Sequence, residues 1–449
     1  MDRRHFTRLA SGGLALGFVP PGLSDASLSL VCSSRVAQAQ PDLLVDGDRL
    51  SRTLTALARF GANPGGGVSR VAYSDADLAA REWVATLMSE AGLEVSVDFA
   101  GNLIGRRSGS DSDLPPLLLG SHIDSVPSGG NYDGQVGSMA ALEVAATLAD
   151  AGHRTRHNLE FVIWANEEGG KTGSRAVAGE VDPAELDVRT ASGFTISEGT
   201  LRIGGDLSRL EDVRREPGSL TAYFELHIEQ GAVLDRAGVD IGVVEGIVGI
   251  KRWTVTVEGF ANHAGTTPMD QRRDALLSAA RMIEAVNRIA RTTPGRQVAT
   301  VGRLSAEPGA PNVIPGRVTF SLEIRDLEMS KIDQVFEAIR GEATELAESD
   351  GTSVAFELFY TSRAAPTAPR LRDVIEAEAR RLSLTTLRMP SGAGHDAQSI
   401  ALLGPVGMIF VPSLEGISHS PLEITSPTQI TAGANVLLRS LLAVDEDVG

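Results

Sequence analysis

Four short apolar runs, residues 116–119, 161–164, 223–226 and 408–411, constrain this chain more than any other feature of it. Nearly continuous apolarity over four residues, ended by turn or polar residues, suits a strand buried on both faces of a sheet. Helical periodicity lies between them. Over residues 77–91 the apolar Leu78, Val84, Leu87, Met88 and Ala91 recur at helical spacing before Gly92, and residues 136–151 read as a helix closed by Gly152. Residues 93–97 read as a further strand. Strands alternating with helices predict an α/β domain built on a largely parallel sheet with helices over it.

At about residue 249 the period changes. Trp253, Val255 and Val257 alternate with Thr254, Thr256 and Glu258, which marks a half-buried strand. A helix over 274–290 follows, then strands over 298–304 and 318–325. A helix carrying the stripe Ile332, Val335, Phe336, Ile339, Ala343 and Leu346 precedes a last strand over 354–359. The order β-α-β-β-α-β is that of a split, ferredoxin-like α+β domain. Because helix–strand alternation resumes near residue 364, the expected organisation is a large domain over 41–248 and 363–449 with the smaller one, 249–362, inserted into it.

Each apolar run delivers polar residues at its carboxyl end, the edge at which open α/β sheets bind ligands. His122, Asp124 and Asp133 follow the first run, Asn166, Glu167 and Glu168 the second, His227 and Gln230 the third, and a loop holding His419 the fourth. Gathering Asp124, Asp133, Glu167 and Glu168 in one place without cations would cost several kcal/mol per buried charge. Neutral imidazoles do not offset that; divalent metal does. Nitrogen and oxygen donors without thiolate favour zinc, with manganese, cobalt or nickel able to substitute. The single cysteine, Cys32, offers neither a disulfide framework nor a cysteine zinc site, and no G-x-S-x-G marks a serine nucleophile. His153 and His157, in a polar stretch, are expected to be solvated. With 41 Lys+Arg against 58 Asp+Glu, a net charge of −17, and no basic run, neither nucleic acid nor an anionic membrane is expected as a partner.

Residues 1–40 stand apart. Arg3-Arg4, Phe6, an apolar Gly-rich stretch over 9–19 and Ala37-Gln38-Ala39 have the form of a twin-arginine export signal with an A-x-A cleavage site, so a periplasmic or exported protein is expected. No stable membrane anchor is expected. The apolar stretch falls short of the roughly 20 residues a spanning helix needs and ends at Pro20-Pro21.

The segments GSHIDSVPSGGNYDG, ANEEGG, FELHIEQG, NHAGTTPM with RRDA, PNVIPG with LEIRD, SGAGHDA and ISHSPLE occur in this order from about residue 45 onward. Together they resemble the hydantoinase/carbamoylase amidases, a family of N-carbamoyl-L-amino acid hydrolases, allantoate amidohydrolases and β-ureidopropionases among the aminoacylase- and carboxypeptidase-like dinuclear metallohydrolases. The resemblance implies two divalent metal ions per chain, one held by His122, Asp133 and His227 and the other by Asp133, Glu168 and His419. It makes Asp124 the partner that fixes the His122 ring and leaves Glu167 free as the general base. It implies a homodimer through the inserted lid domain, with His263 stabilising the oxyanion in the partner's site. It assigns the substrate, a small carboxylate, to Gln230, His263, Asn312, Arg325, Gly394 and His395. The alternative for Arg325 is an ion pair with Asp326 or Glu323. The implied reaction is hydrolysis of a carbamoyl or ureido C–N bond, first of an N-carbamoyl-L-amino acid. Allantoate hydrolysis and dipeptide or N-acyl cleavage are the enzymatic alternatives, and a periplasmic binding protein on the same scaffold is the non-enzymatic one. One departure stands out: relatives carry an Arg-Phe pair soon after the EEG signature, where this chain has Gly170, Lys171 and Thr172.

Overall fold

The four apolar runs lie side by side. In the computed structural model, which describes residues 43–447, Leu159–Trp164, Leu117–His122, Ala222–Ile228 and Val406–Val411 are adjacent parallel strands at the centre of a nine-stranded sheet. Only Glu160 among their residues is not fully buried, as expected of strands covered on both faces. The flanks are antiparallel except at Thr386–Ser391, which pairs parallel with Ile241–Ile247. Glu94–Val97 and Leu103–Arg107 extend the sheet beyond Leu159–Trp164, and Ile241–Ile247 runs against Val406–Val411 on the other side. Parallel pairing therefore belongs chiefly to the centre, where all four carboxyl ends meet one edge. Residues 1–40, with the expected export signal, lie outside the described residues.

Helices Gly47–Leu57, Asp75–Glu90, Gln135–Asp150, Pro369–Arg381 and Pro427–Glu446 contribute to a core on one face that includes Leu54, Val84, Leu119, Phe224, Ile409 and Leu437. Each such side chain stabilises the fold by about 1.5–3 kcal/mol. Side-chain oxygens set the helix starts: Ser74 accepts from Asp77 N–H, and Ser426 forms a capping box with Gln429. Gln135–Asp150 lies flush on the sheet because residue 137 is glycine; a Cβ there would sit 2.0 Å from the Leu226 carbonyl oxygen. Among the described residues no helix is long and apolar enough to cross a membrane.

The second sheet has five strands, all antiparallel: Gly249–Glu258, Val298–Thr300, Leu304–Glu307, Arg317–Asp326 and Ser353–Ser362. Helices Ala275–Thr292 and Met329–Asp350 pack on it around Val255, Phe320, Leu322, Met282, Val335 and Ile339. The order is the expected β-α-β-β-α-β, with one difference. In place of one strand over 298–304 there are two, Val298–Thr300 and Leu304–Glu307, with Arg303 N–H between them donating to the Ser321 side chain at 3.1 Å. A small ribbon, Asn262–His263 against Val313–Ile314, projects from this domain.

His157 overturns its expectation. It is buried, with Nδ1 2.9 Å from Asp445 Oδ1, and Asp445 also accepts the amides of Arg156 and His157. This ties the loop to the C-terminal helix through a contact 288 residues apart in sequence. No local pattern could signal it.

Candidate metal centre

His122 closes its strand, and the chain returns to it at Asp133 through a turn only glycine can complete. Gly134 has φ 77°, and a Cβ on it would lie 2.2 Å from His122 Nε2. His227 is supplied from inside its strand, since Ala222–Ile228 runs two residues beyond the expected end. Glu167 and Glu168 sit in the turn after Leu159–Trp164, and His419 in the loop after Val406–Val411. Asn166, Gln230 and His419, which flank these strand ends, take left-handed backbone conformations at φ 55°, 58° and 55°. Each costs ~1–3 kcal/mol for a residue with a side chain, a concentration of strain typical of functional sites.

The Asp133 carboxylate is the hub. Its Oδ1 lies 3.8 Å from His122 Nε2 and 3.3 Å from His227 Nε2, while Oδ2 lies 3.3 Å from His419 Nε2. His419 Nε2 is in turn 3.6 Å from Glu168 Oε2. Two groups result, His122–Asp133–His227 and Asp133–Glu168–His419, each with its donor atoms within 4.8 Å of one another. Gln230 Nε2 and Ser418 Oγ donate to Oδ2 at 2.6 and 2.8 Å, and Glu423 accepts the amides of Tyr132 and Asp133 at 2.9 and 3.1 Å. The carboxylate is thus held from several sides.

The residues fit divalent cations. The donor set is three imidazoles and two carboxylates, and Glu168 Oε1 is buried with no hydrogen-bond partner. Burial, then the Asp133 and Glu167 charges, push the Glu168 carboxyl up to about 8. Burial alone would lower the His122 pKa, but Glu167 and the other carboxylates outweigh it and raise it. Both upward shifts describe a site with an excess of negative charge. A third buried group, Glu225–His227–His395, has different wiring. Glu225 already accepts from Ser121, Tyr223 and the Ala397 amide, so it braces the site from behind.

Asp124 reaches His122 through its main chain: Nδ1 is 3.0 Å from the Asp124 carbonyl oxygen and 3.7 Å from the carboxylate. The carboxylate instead accepts the amides of Glu167 and Glu168 at 3.3 and 3.1 Å. Asp124 therefore positions both the ring and the acidic turn. Glu167 Oε2 stands 3.7 Å from His122 Nε2 and belongs to neither donor group; burial raises its pKa.

The other residues singled out in the sequence fall in two places. His395 is buried against His227, ring centroids 4.5 Å apart, with Nε2 2.8 Å from Ser391 Oγ. Burial, then His227, lowers its pKa, which keeps it neutral. Gly394 precedes it. His263 and Asn312 lie together on the exposed ribbon, where the Asn312 carbonyl accepts from Ala264 N–H at 3.0 Å. His263 Nδ1 accepts the amides of Gly265 and Thr266 at 3.0 and 3.2 Å. Arg325 forms the alternative ion pair, Nε to Glu323 Oε1 at 2.7 Å, and its Nη1 also donates to the Gly392 carbonyl at 2.6 Å. That second bond joins the inserted strand to the loop of Gly394 and His395. Glu423 and Ser418 were given no role from the sequence, although both stand in the ISHSPLE segment; the acid two residues after a Ser-Pro turn was the available signal.

Comparison with known proteins identifies the family. The family model for peptidase family M20/M25/M40 matches residues 118–443. The chain is 40% identical over 403 residues to the N-carbamoyl-L-amino acid amidohydrolase of Geobacillus stearothermophilus, covering 89% of this chain and 98% of that protein. It is 34% identical over 394 residues to the allantoate amidohydrolase of Escherichia coli, covering 86% and 95%. A crystal structure of a hydantoinase/carbamoylase family amidase from Burkholderia multivorans superimposes with a TM-score of 0.83 at 38% identity, over 91% of this chain and all of that one. Extended matches at these identities, over a shared fold, establish that the chain belongs to peptidase family M20/M25/M40 and to the hydantoinase/carbamoylase amidases.

Proposed function

We propose that the protein hydrolyses the C–N bond of a carbamoyl or ureido group on a small carboxylate, first of all an N-carbamoyl-L-amino acid, with two divalent cations bound. The observation that carries this is the Asp133 carboxylate, whose two oxygens face two separate groups of donors while Glu167 stands beside them and outside both. His122, Asp133 and His227 would hold one cation, and Asp133, Glu168 and His419 the other. Bound there, the cations supply a lowered water pKa and a polarised substrate carbonyl. Glu167 takes the proton as the water oxygen bonds to the carbonyl carbon. The C–N bond to the amino acid then breaks, Glu167 returns the proton to the departing nitrogen, and the released carbamate decomposes to carbon dioxide and ammonia. Relatives named for N-carbamoyl-L-amino acids support this substrate over allantoate, since they include those with 40% and 39% identity, against 34% and 36% for two named for allantoate. Ammonia release across carbamoyl-L-amino acids, allantoate and dipeptides tests it. Carbamoyl-L-amino acids should lead by at least about tenfold in kcat/KM; a higher value for allantoate or a dipeptide would reassign the enzyme.

The inserted domain is proposed to form a homodimer that brings the partner subunit's His263 to the substrate. Because Nδ1 accepts two amides, the neutral ring carries its proton on Nε2, ready to donate to an oxyanion. Mixing inactive Glu167→Gln chains with inactive His263→Ala chains should restore part of the activity through hybrid dimers. A monomer in solution, or no recovery after demonstrated subunit exchange, would refute the arrangement. Residues 1–40 support export by the twin-arginine route.

A further inference from the structure

We infer that Lys171 selects substrates bearing a second anionic group, an acidic side chain in addition to the carboxylate of an N-carbamoyl amino acid. The inference rests on the preceding reading of the site and goes beyond it. Lys171 follows directly on the turn that carries Glu167 and Glu168. The amides of Gly170 and Lys171 both donate to the Glu167 carbonyl, at 3.0 and 2.9 Å, and Lys171 takes φ 57°. The lysine is thereby locked one turn from the proposed base. Its ammonium donates to Gln398 Oε1, a neutral acceptor, and has no carboxylate partner among the described residues. It also passes beneath the loop of His395, where a Cβ on Gly394 would come within 3.3 Å of Nζ. A side chain there would crowd the ammonium, so glycine lets the loop pass close to it.

A cleft of about 580 Å³ opens beside it. Arg175 and Arg363 line this cleft, but each is neutralised, Arg175 by a two-pronged pair with Glu185 and Arg363 by Glu180 at 3.0 Å. Lys171 is then the one positive charge of the lining with no ion pair to a carboxylate among the described residues, although its charge acts on Glu167 nearby. Phe359 and Tyr360, 53% and 42% exposed, supply apolar surface for the methylene stem of a side chain. A carboxylate that displaced the Gln398 oxygen would replace a neutral acceptor of the ammonium with one of opposite charge.

The test compares kcat/KM for N-carbamoyl-L-aspartate with N-carbamoyl-L-asparagine, and for the glutamate and glutamine pair, in the wild type, Lys171→Met and Lys171→Arg. Wild type should favour each acid over its amide by about tenfold or more. Lys171→Met should bring that ratio close to one, mainly through KM, and Lys171→Arg should keep much of it. A wild-type ratio at or below one overturns the inference. So does a ratio that persists in Lys171→Met while both rates fall together, which would make Lys171 a positioning residue for Glu167. If the wild type turns over no carbamoyl compound, the proposed reaction fails, and calorimetry on the metal-loaded protein still decides this point. Glutarate should then bind about tenfold more tightly than its monoamide in wild type, with the difference lost in Lys171→Met; equal binding by wild type overturns the inference.

Discussion

Glu167→Gln should lower kcat by about 10²–10⁴-fold while leaving bound metal unchanged. Glutamine matches the carboxylate in shape and cannot accept a proton. The turn that presents it survives the change, because the Asp124 carboxylate grips the main-chain amides of residues 167 and 168, not their side chains. Glu168→Gln is the contrasting variant. Its carboxylate belongs to the group with Asp133 and His419, and Oε1 has no other partner, so this change should cost metal first and activity as a consequence. Metal content by elemental analysis, set beside kcat for both variants, separates the roles. Loss of metal from Glu167→Gln with retention in Glu168→Gln would exchange them.

Asp133→Ala should release both cations, whereas His419→Ala should release one. The difference follows from the two oxygens of one carboxylate serving both donor groups, while His419 belongs to a single group. The carboxylate is also supported by Gln230, Ser418 and, through the backbone, Glu423, none of which replaces it as a donor to either group. Wild-type protein should hold two equivalents after dialysis, Asp133→Ala close to none, and His419→Ala about one. Activity should be abolished by a chelator and restored by zinc or manganese in wild type alone. One remaining equivalent in Asp133→Ala would mean that the two groups bind independently. Because cations bind only the folded chain, the melting temperature of wild type should rise with metal. At a hundredfold excess over Kd the gain is about 2.7 kcal/mol per site.

Much of this was legible in the residues. Continuous apolar runs announced the buried strands, since a parallel strand has no solvent face on which to place polar residues. Period-two alternation announced the inserted sheet, where Trp253, Val255 and Val257 are buried and their neighbours less so. The donors were visible because each follows or ends such a run. What was hidden depended on distance in the chain. His157 looked solvated because its partner, Asp445, lies on the last helix. The division of labour in Asp124, carbonyl to the ring and carboxylate to two amides, depends on how two loops meet. His227 appeared to follow its strand because Ile228 extends the pairing with Val411, a register no local rule reports. For Arg325 the sequence left two readings open. The structure shows the pair with Glu323 and adds the Gly392 contact, which composition could not suggest.

The proposed donors come from residues 122, 133, 168, 227 and 419, on four strand ends, with the whole inserted domain lying between the last two. No fragment of the chain shorter than this span contains both groups, and no early folding intermediate can assemble them. Full occupancy of the centre would therefore report completed folding: two cations together would link four strand ends, a clasp closing loops of up to about three hundred residues. Loop-closure cost grows only with the logarithm of length, so such a clasp is cheap for its reach, and contacts this remote in sequence form late. The first donor group, His122–Asp133–His227, lies within residues 122–227 and needs nothing from the inserted domain, whereas the second waits for His419, so a newly made chain would complete its centre only when the last of these loops is in place.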